Sequence, residues 1–191
     1  FLRSSALVTG GLLLGFETPA TAKVQSISTQ LGPFLQMTNQ GKIRLGVPVV
    51  EMGQGIYTSL AMSVVEELEM TLEQVEDIKT IFHPALKNPV VSYMTGNKLQ
   101  LQMTGGSTSL MGWGKHYQII GATAREMIVS AAANEWNVSS HDLKVNGKYV
   151  INPATNKKLS YGKLVEKAGR LAIPDNPKIK EPDNFKIIGK S

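Results

Sequence analysis

Hydrophobic and polar positions along the chain switch between two periods, and the switches divide it into elements. In the segment from Gln36 to Pro48, Ile43, Leu45 and Val47 alternate with Lys42, Arg44 and Gly46 after a turn at Asn39-Gln40-Gly41. Such alternation puts successive side chains on opposite faces, so the segment predicts two short strands around a tight turn. From Thr58 to Met70 the period lengthens: Leu60, Ala61, Val64, Val65 and Leu68 recur at helical spacing and predict an amphipathic helix. Val75 to Phe82 predicts a further strand. His83 to Gly96, broken by Pro84, Pro89 and Gly96, predicts an irregular loop.

A long helix is expected from Met111 to Trp136, with Ile120, Ala124, Met127, Ile128, Ala131 and Ala132 on one face. Gly121 and Ala124 within it predict close packing against another element. Leu143 to Ile151 predicts a hairpin around Asn146-Gly147, a dipeptide suited to the left-handed turn. Ser160 is placed to cap a last helix, Tyr161 to Leu171. Pro174, Pro177 and Pro182 then predict an extended tail, residues 173–191, read as a linker to a further domain. The fold class is α+β: short strands with two main helices and a short C-terminal helix.

Residues 1–22 read as an export signal. Ala6 to Phe16 is an uncharged apolar run of eleven residues, where a membrane-spanning helix needs about 20. Arg3 precedes it and Ala20-Thr21-Ala22 offers small residues for cleavage, so a mature chain would begin near Lys23. Phe1-Leu2-Arg3 resembles the end of a twin-arginine signal. A periplasmic location is the expectation, with membrane association open, and the chain, starting at Phe, is expected to be part of a longer reading frame.

Composition narrows the chemistry. The 191 residues are 42% hydrophobic and 18% charged, as globular domains are. The excess of Lys and Arg over Asp and Glu, 20 against 15, is spread along the chain and points to no nucleic acid. The absence of cysteine excludes disulfides, thiolate metal sites and a thiol nucleophile. Three scattered histidines give no metal-ligand spacing, so no metal ligand is expected. Chemistry therefore rests on a borrowed cofactor, a carboxylate or backbone amides.

Two glycine loops each follow an extended segment and open a helix: Glu51-Met52-Gly53-Gln54-Gly55 and Thr104-Gly105-Gly106-Ser107-Thr108-Ser109. Helix starts present free N–H groups, and glycine lets backbone approach a ligand closely. With the Gln54 amide and three hydroxyls, the loops suit a phosphate or a polar heterocycle. Neither matches the dinucleotide or P-loop fingerprint. Plain strand-to-helix turns fit them equally well.

Val50-Glu51-Met52-Gly53-Gln54-Gly55-Ile56-Tyr57-Thr58 with Ser63-Val64-Val65-Glu66-Glu67-Leu68 resembles the molybdopterin-binding large subunit of the xanthine dehydrogenase family, nearest the isoquinoline 1-oxidoreductase or periplasmic aldehyde dehydrogenase branch. Thr104-Gly105-Gly106-Ser107-Thr108-Ser109, Gly121-Ala122-Thr123-Ala124-Arg125, Ala131-Ala132-Ala133, Ser160-Tyr161-Gly162-Lys163-Leu164 and Phe185-Lys186-Ile187-Ile188-Gly189-Lys190 extend the likeness over nearly the whole chain. The resemblance implies a partial molybdopterin-binding domain over residues 23–172, part of a larger one. It implies a molybdenum ion on a pterin dithiolene, as the cytosine dinucleotide, and hydroxylation of aldehydes or N-heteroaromatic rings with oxygen from water. Partners follow: the rest of the same large subunit, a small subunit with two [2Fe–2S] clusters, and a small-molecule substrate. Gly53, Gln54, Gly55, Thr58, Gly105, Gly106, Ser107, Thr108 and Ser109 match cofactor-contacting segments, with the pterin phosphate over the two helix starts. The family's catalytic glutamate belongs to a region not present here, so no catalytic residue is assigned and the chain alone is expected to be inactive.

Other residues have plainer readings. Glu51 is expected to be structural, and Glu66, Glu67, Glu69, Glu73 and Glu76 a solvated helix face and turn. His83, His116 and His141 are expected in loops or at the surface, Met103, Met111 and Met127 in the core, Trp113 and Tyr117 in packing, and Arg125 in a surface salt bridge. Two other classes remain alongside the enzyme: a cofactor-free scaffold or interaction domain of the same fold, and a generic nucleotide-binding module.

Overall fold

The computed structural model describes residues 34–190 and, as backbone strands alone, residues 4–8 and 11–15. It is an α+β structure with a five-stranded and a three-stranded sheet. The larger sheet runs in chain order: β1 (Ser4–Val8), β2 (Gly11–Gly15), β3 (Leu35–Thr38), β4 (Ile43–Val47) and β5 (Val75–Thr80). Neighbours are antiparallel through β4, whereas β5 lies parallel to β4. A parallel neighbour requires a crossover, and α1 (Ile56–Leu68) supplies it. β1 and β2 fall within the stretch read as an export signal. Phe1-Leu2-Arg3 and Ala20-Thr21-Ala22, the expected cleavage site, lie outside the described residues.

The period-two pattern places Ile43, Leu45 and Val47 in the core and Arg44 in solvent. α1 covers them with Leu60, Val64, Val65 and Leu68, all fully buried. Against α1 lies α3 (Thr108–Trp136), which spans about 44 Å at the usual rise per residue. Gly121 sits at their closest approach. A Cβ there would stand 2.7 Å from the Val64 carbonyl oxygen and 2.8 Å from Glu67 Cβ. The packing expected of Gly121 is thus present, and α1 is its partner.

The smaller sheet is an antiparallel meander of β6 (Lys144–Asn146), β7 (Tyr149–Asn152) and β8 (Lys157–Ser160). β8 continues directly into α4 (Tyr161–Ala168), which ends three residues short of the expected Leu171. Ser160 makes no side-chain cap; the start of α4 is fixed by Tyr161, whose N–H bonds the Lys148 carbonyl and whose hydroxyl bonds that of Leu68 at 2.8 Å. Gly162 lies against the β3–β4 turn so closely that a Cβ would overlap the Asn39 carbonyl oxygen.

Three expectations are corrected. The segment expected as loop between His83 and Gly96 contains a short helix, α2 (Pro89–Met94). Asn88 caps it, accepting from Val90 N at 3.0 Å and Val91 N at 3.3 Å, and Pro89 opens it with the φ a first helical turn needs. Met103 and Met111 are exposed, not core. Glu66 and Glu67 are buried, not solvated. They are held by the tail, which returns over α1 as irregular backbone with one 3-10 turn at Pro182–Asn184. Glu66 accepts backbone N–H groups of Lys186, Ile187 and Ile188 and the Lys180 ammonium at 2.9 Å. Glu67 accepts Lys180 N at 2.9 Å and Arg125 Nη1 at 2.8 Å, so Arg125 ties α3 to α1 in a largely buried pair.

Candidate functional site

The site forms where β4 and β5 end. Both strands point their carboxyl ends the same way, and the chain leaves them through Pro48–Gly55 and Ile81–Asn88. The segment before α3, residues 99–107, crosses these ends. Gln102 pins it there, donating from Nε2 to the Pro48 carbonyl at 3.0 Å and the Ile81 carbonyl at 2.6 Å and accepting His83 N at 3.2 Å. One step on, the Thr104 hydroxyl accepts Val50 N at 2.9 Å. That bond joins the residue that leads into the first glycine loop to the first residue of the second. Beside it is a hollow of about 280 Å³ lined by Pro48, Val50, Met52, Phe82, Gln102, Met103 and Thr104, none of them among the residues expected at the cofactor.

The first loop is organised from within. Glu51 Oε1 accepts Gly53 N at 2.8 Å and Gly55 N at 3.0 Å, and its Oε2 accepts Tyr57 N at 3.0 Å. Gln54 closes the turn from the other side, accepting Met52 N at 2.6 Å and donating to the Val50 carbonyl at 3.0 Å. These bonds require left-handed backbone at Gly53 (φ 89°) and Gly55 (φ 77°), which only glycine adopts without strain. Bonds from Tyr57 and Gly55 hold the Glu51 carboxyl below its ordinary value. A carboxylate so committed is a poor base, and its charge occupies the start of α1, where the sequence reading places an external anion.

At the second loop Gly105, Gly106 and Ser107 all have positive φ. Ser107 is the N-cap residue of α3 but makes no side-chain cap. Thr108 turns inward: its hydroxyl donates to the Gly105 carbonyl at 2.8 Å and accepts Asn88 Nδ2 at 2.9 Å. The buried Asn88 thereby links the starts of α2 and α3, and Gly112 leaves it room, since a Cβ there would stand 3.1 Å from Asn88 Oδ1.

The nine residues expected at the cofactor therefore divide. Gly53, Gln54, Thr58, Gly106 and Ser107 are exposed, Gly55 and Gly105 half-buried, and Thr108 and Ser109 buried. The Gln54 amide and Thr108 hydroxyl serve the loops themselves. Beyond their chain neighbours nothing stands within 4 Å of where a Cβ would lie on Gly53 or Gly55, but the N–H groups of both are already held by Glu51. Three residues that organise the site carry no such role in the sequence reading: Glu51, Asn88 and Thr104. An acidic residue one turn before a helix and an Asn-Pro pair are the signals that point to the first two; Thr104 carries no such signal.

Among the other candidates, Trp113 and Tyr117 are packing residues, and the Tyr117 hydroxyl donates to the Gly46 carbonyl. His83 Nδ1 accepts Ala85 N at 3.1 Å. His116 is half-buried against the Gly112 carbonyl, and burial lowers its pKa. Among the described residues no three His, Cys, Asp or Glu gather as a metal site, and no helix is long and apolar enough to cross a membrane.

The fold has solved counterparts. Quinoline 2-oxidoreductase from Pseudomonas putida 86 superposes with a TM-score of 0.50, a Cu,Mo-CO dehydrogenase in its carbon monoxide-reduced state with 0.52, and the reconstituted CO dehydrogenase from Oligotropha carboxidovorans with 0.53. Each is 16% identical over 69% of this chain, and the match spans 15% of the solved chain's length. At that identity the likeness is one of fold. No curated protein matches the chain. The family described as "Molybdopterin cofactor-binding domain" matches residues 10–187, taking in both glycine loops and the tail docked on α1. With nearly its entire length matched, and with the loops tied together at the ends of β4 and β5, the chain belongs to the molybdopterin cofactor-binding domain family.

Proposed function

We propose that this chain forms one wall of the cofactor pocket in the large subunit of a molybdenum hydroxylase acting on aldehydes or N-heteroaromatic compounds, with water as the source of oxygen. The observation that carries the reading is the hollow at the ends of the parallel pair, to which the first loop contributes Met52 and the second Thr104, braced by the Val50–Thr104 bond. Ligands of sheet-and-helix folds are commonly bound just outside the carboxyl ends of parallel strands. A hollow of about 280 Å³ is smaller than a complete ligand pocket, which fits a wall contributed to a larger site. Its apolar sides (Met52, Phe82, Met103) fit the flat face of a pterin.

Bound there, the molybdopterin, as its cytosine dinucleotide, would supply the redox and oxygen-transfer chemistry. The residues of this chain would hold and orient it through the backbone groups of Met52–Gly55 and Gly105–Ser107 that Glu51, Gln54 and Thr108 do not already hold, with Thr58 and Ser107 as exposed hydroxyls. The rest of the large subunit would supply the catalytic base, and a small subunit with [2Fe–2S] clusters would take the electrons.

Full-length protein purified from its own host should contain molybdenum and a pterin that co-elute with it. Their absence from matured preparations would favour a cofactor-free scaffold. A Gln54→Ala/Ser107→Ala pair should lower both contents in parallel, and unchanged contents would remove the loops from the pocket. Export is proposed on the basis of residues 1–22, and cleavage near Lys23 would remove β1 and β2 from the sheet beside β3. Cell fractionation and N-terminal sequencing should find a periplasmic chain beginning near Lys23, and an intact N-terminus in the cytosol overturns it.

A further inference from the structure

We infer that Glu51 is a positioning residue for the cofactor: its carboxylate acts as a built-in anion at the start of α1 and holds the Met52–Gly55 backbone in the shape that meets the ligand. The inference rests on the cofactor reading above and extends it to a residue that contributes no contact of its own. Three backbone N–H groups converge on this one carboxylate, two on Oε1 and one on Oε2. Water would otherwise solvate them, and a loop with glycines at positions 53 and 55 has much backbone freedom to lose on ordering. Preorganising it before the cofactor arrives removes that loss from the binding step. The bonds come from both sides of the turn, so Glu51 fixes where Gly53 and Gly55 stand relative to α1, and the neighbouring Val50–Thr104 bond fixes the loop relative to its partner.

The position also carries a selectivity. A carboxylate seated on the N-terminal amides of α1 repels a second anion, so the first glycine loop meets an uncharged polar edge of the ligand, and a phosphate is held by other groups.

Hydrogen exchange and cofactor content of the full-length protein test this together. In Glu51→Ala the amides of Gly53, Gly55 and Tyr57 should exchange about tenfold faster in the apoprotein while protection in the core of α3 is unchanged. Molybdenum and pterin content should fall by about threefold or more, as loss of a helix-start cap of ordinary strength implies. Glu51→Gln keeps an acceptor oxygen for Gly53 and Gly55 and loses the acceptor for Tyr57. It should restore protection at the two glycines and most of the cofactor content. Unchanged exchange in Glu51→Ala overturns the clamp itself. Faster exchange with undiminished cofactor overturns the positioning role and leaves the proposed function standing. A wild-type protein without pterin, but with the three amides protected by Glu51, overturns the cofactor reading and the positioning role with it.

Discussion

At the scale of single residues, the tightest constraints are contacts that leave no room for one more carbon. Gly121 meets the Val64 carbonyl and Glu67 across the α1–α3 crossing. Gly121→Ala should push the helices apart and cost about 1–3 kcal/mol, seen in urea unfolding as a lower midpoint at unchanged slope. This position is legible in the sequence, because a glycine within an alanine-rich helical face weakens the helix unless a neighbour needs the space. Tyr117 is less so. Its helical spacing shows that it packs, yet only the fold places the Gly46 carbonyl above its hydroxyl, and burial then raises its pKa well above the ordinary value. Tyr117→Phe removes that buried bond and should destabilise by about 1–3 kcal/mol. An unchanged midpoint would mean that water reaches Gly46.

Elements show where reading from sequence succeeds and where it stops. Period and turn chemistry locate β3, β4, α1, α3 and the β6–β7 hairpin to within a few residues, because the first four bury regular stripes and Asn146-Gly147 marks the hairpin turn. α2 escapes for the opposite reason: it spans six residues and buries only Val91, so Pro84, Pro89 and Gly96 dominate its pattern. The acidic run on α1 misleads because charge suggests solvent, and nothing local reveals that a segment more than a hundred residues away returns to neutralise it. Burial pushes the Glu66 carboxyl up. The Lys180 ammonium and the N–H groups of Ile187, Lys186 and Ile188 pull it down further, so the net shift is downward. A carboxyl whose pKa is lower folded than unfolded contributes stability above the unfolded value, and that contribution disappears as pH falls through the folded one. Stability should therefore be flat near neutrality and decline below about pH 5, with residues 178–188 becoming the first protease-sensitive segment. Glu66→Gln should destabilise by about 3–5 kcal/mol, as expected for breaking a buried ion pair, and should flatten the acid limb. An acid limb as steep as wild type would assign it to other carboxyls.

On the scale of the whole molecule, the described structure has one well-packed side and one end left apolar. Phe82, Tyr93, Met94 and Met111 are 70%, 86%, 72% and 70% exposed, and Met52, Leu99, Leu101, Met103 and Leu110 join them. The hydrogen bonds that build the site also gather these residues. Asn88 N bonds the Leu101 carbonyl, its side chain joins the α2 and α3 starts, and Val50 bonds Thr104. Periodicity could not have located this end, because its residues come from loops and helix ends where no repeat operates. Soluble monomers seldom leave many large apolar side chains together in water, and on the function proposed above the rest of the large subunit would cover them. The isolated 191-residue chain should therefore bind a hydrophobic dye while natively folded and self-associate with rising concentration. Tyr93→Ser with Met94→Lys and Met111→Lys should reduce dye fluorescence about twofold or more. It should shift the unfolding midpoint little, since exposed side chains each contribute within about 0.5 kcal/mol. In the full-length protein the same end should be dark to the dye and those substitutions should loosen the subunit. Dye binding untouched by the triple variant would show that the apolar surface lies elsewhere and would remove this end as a contact.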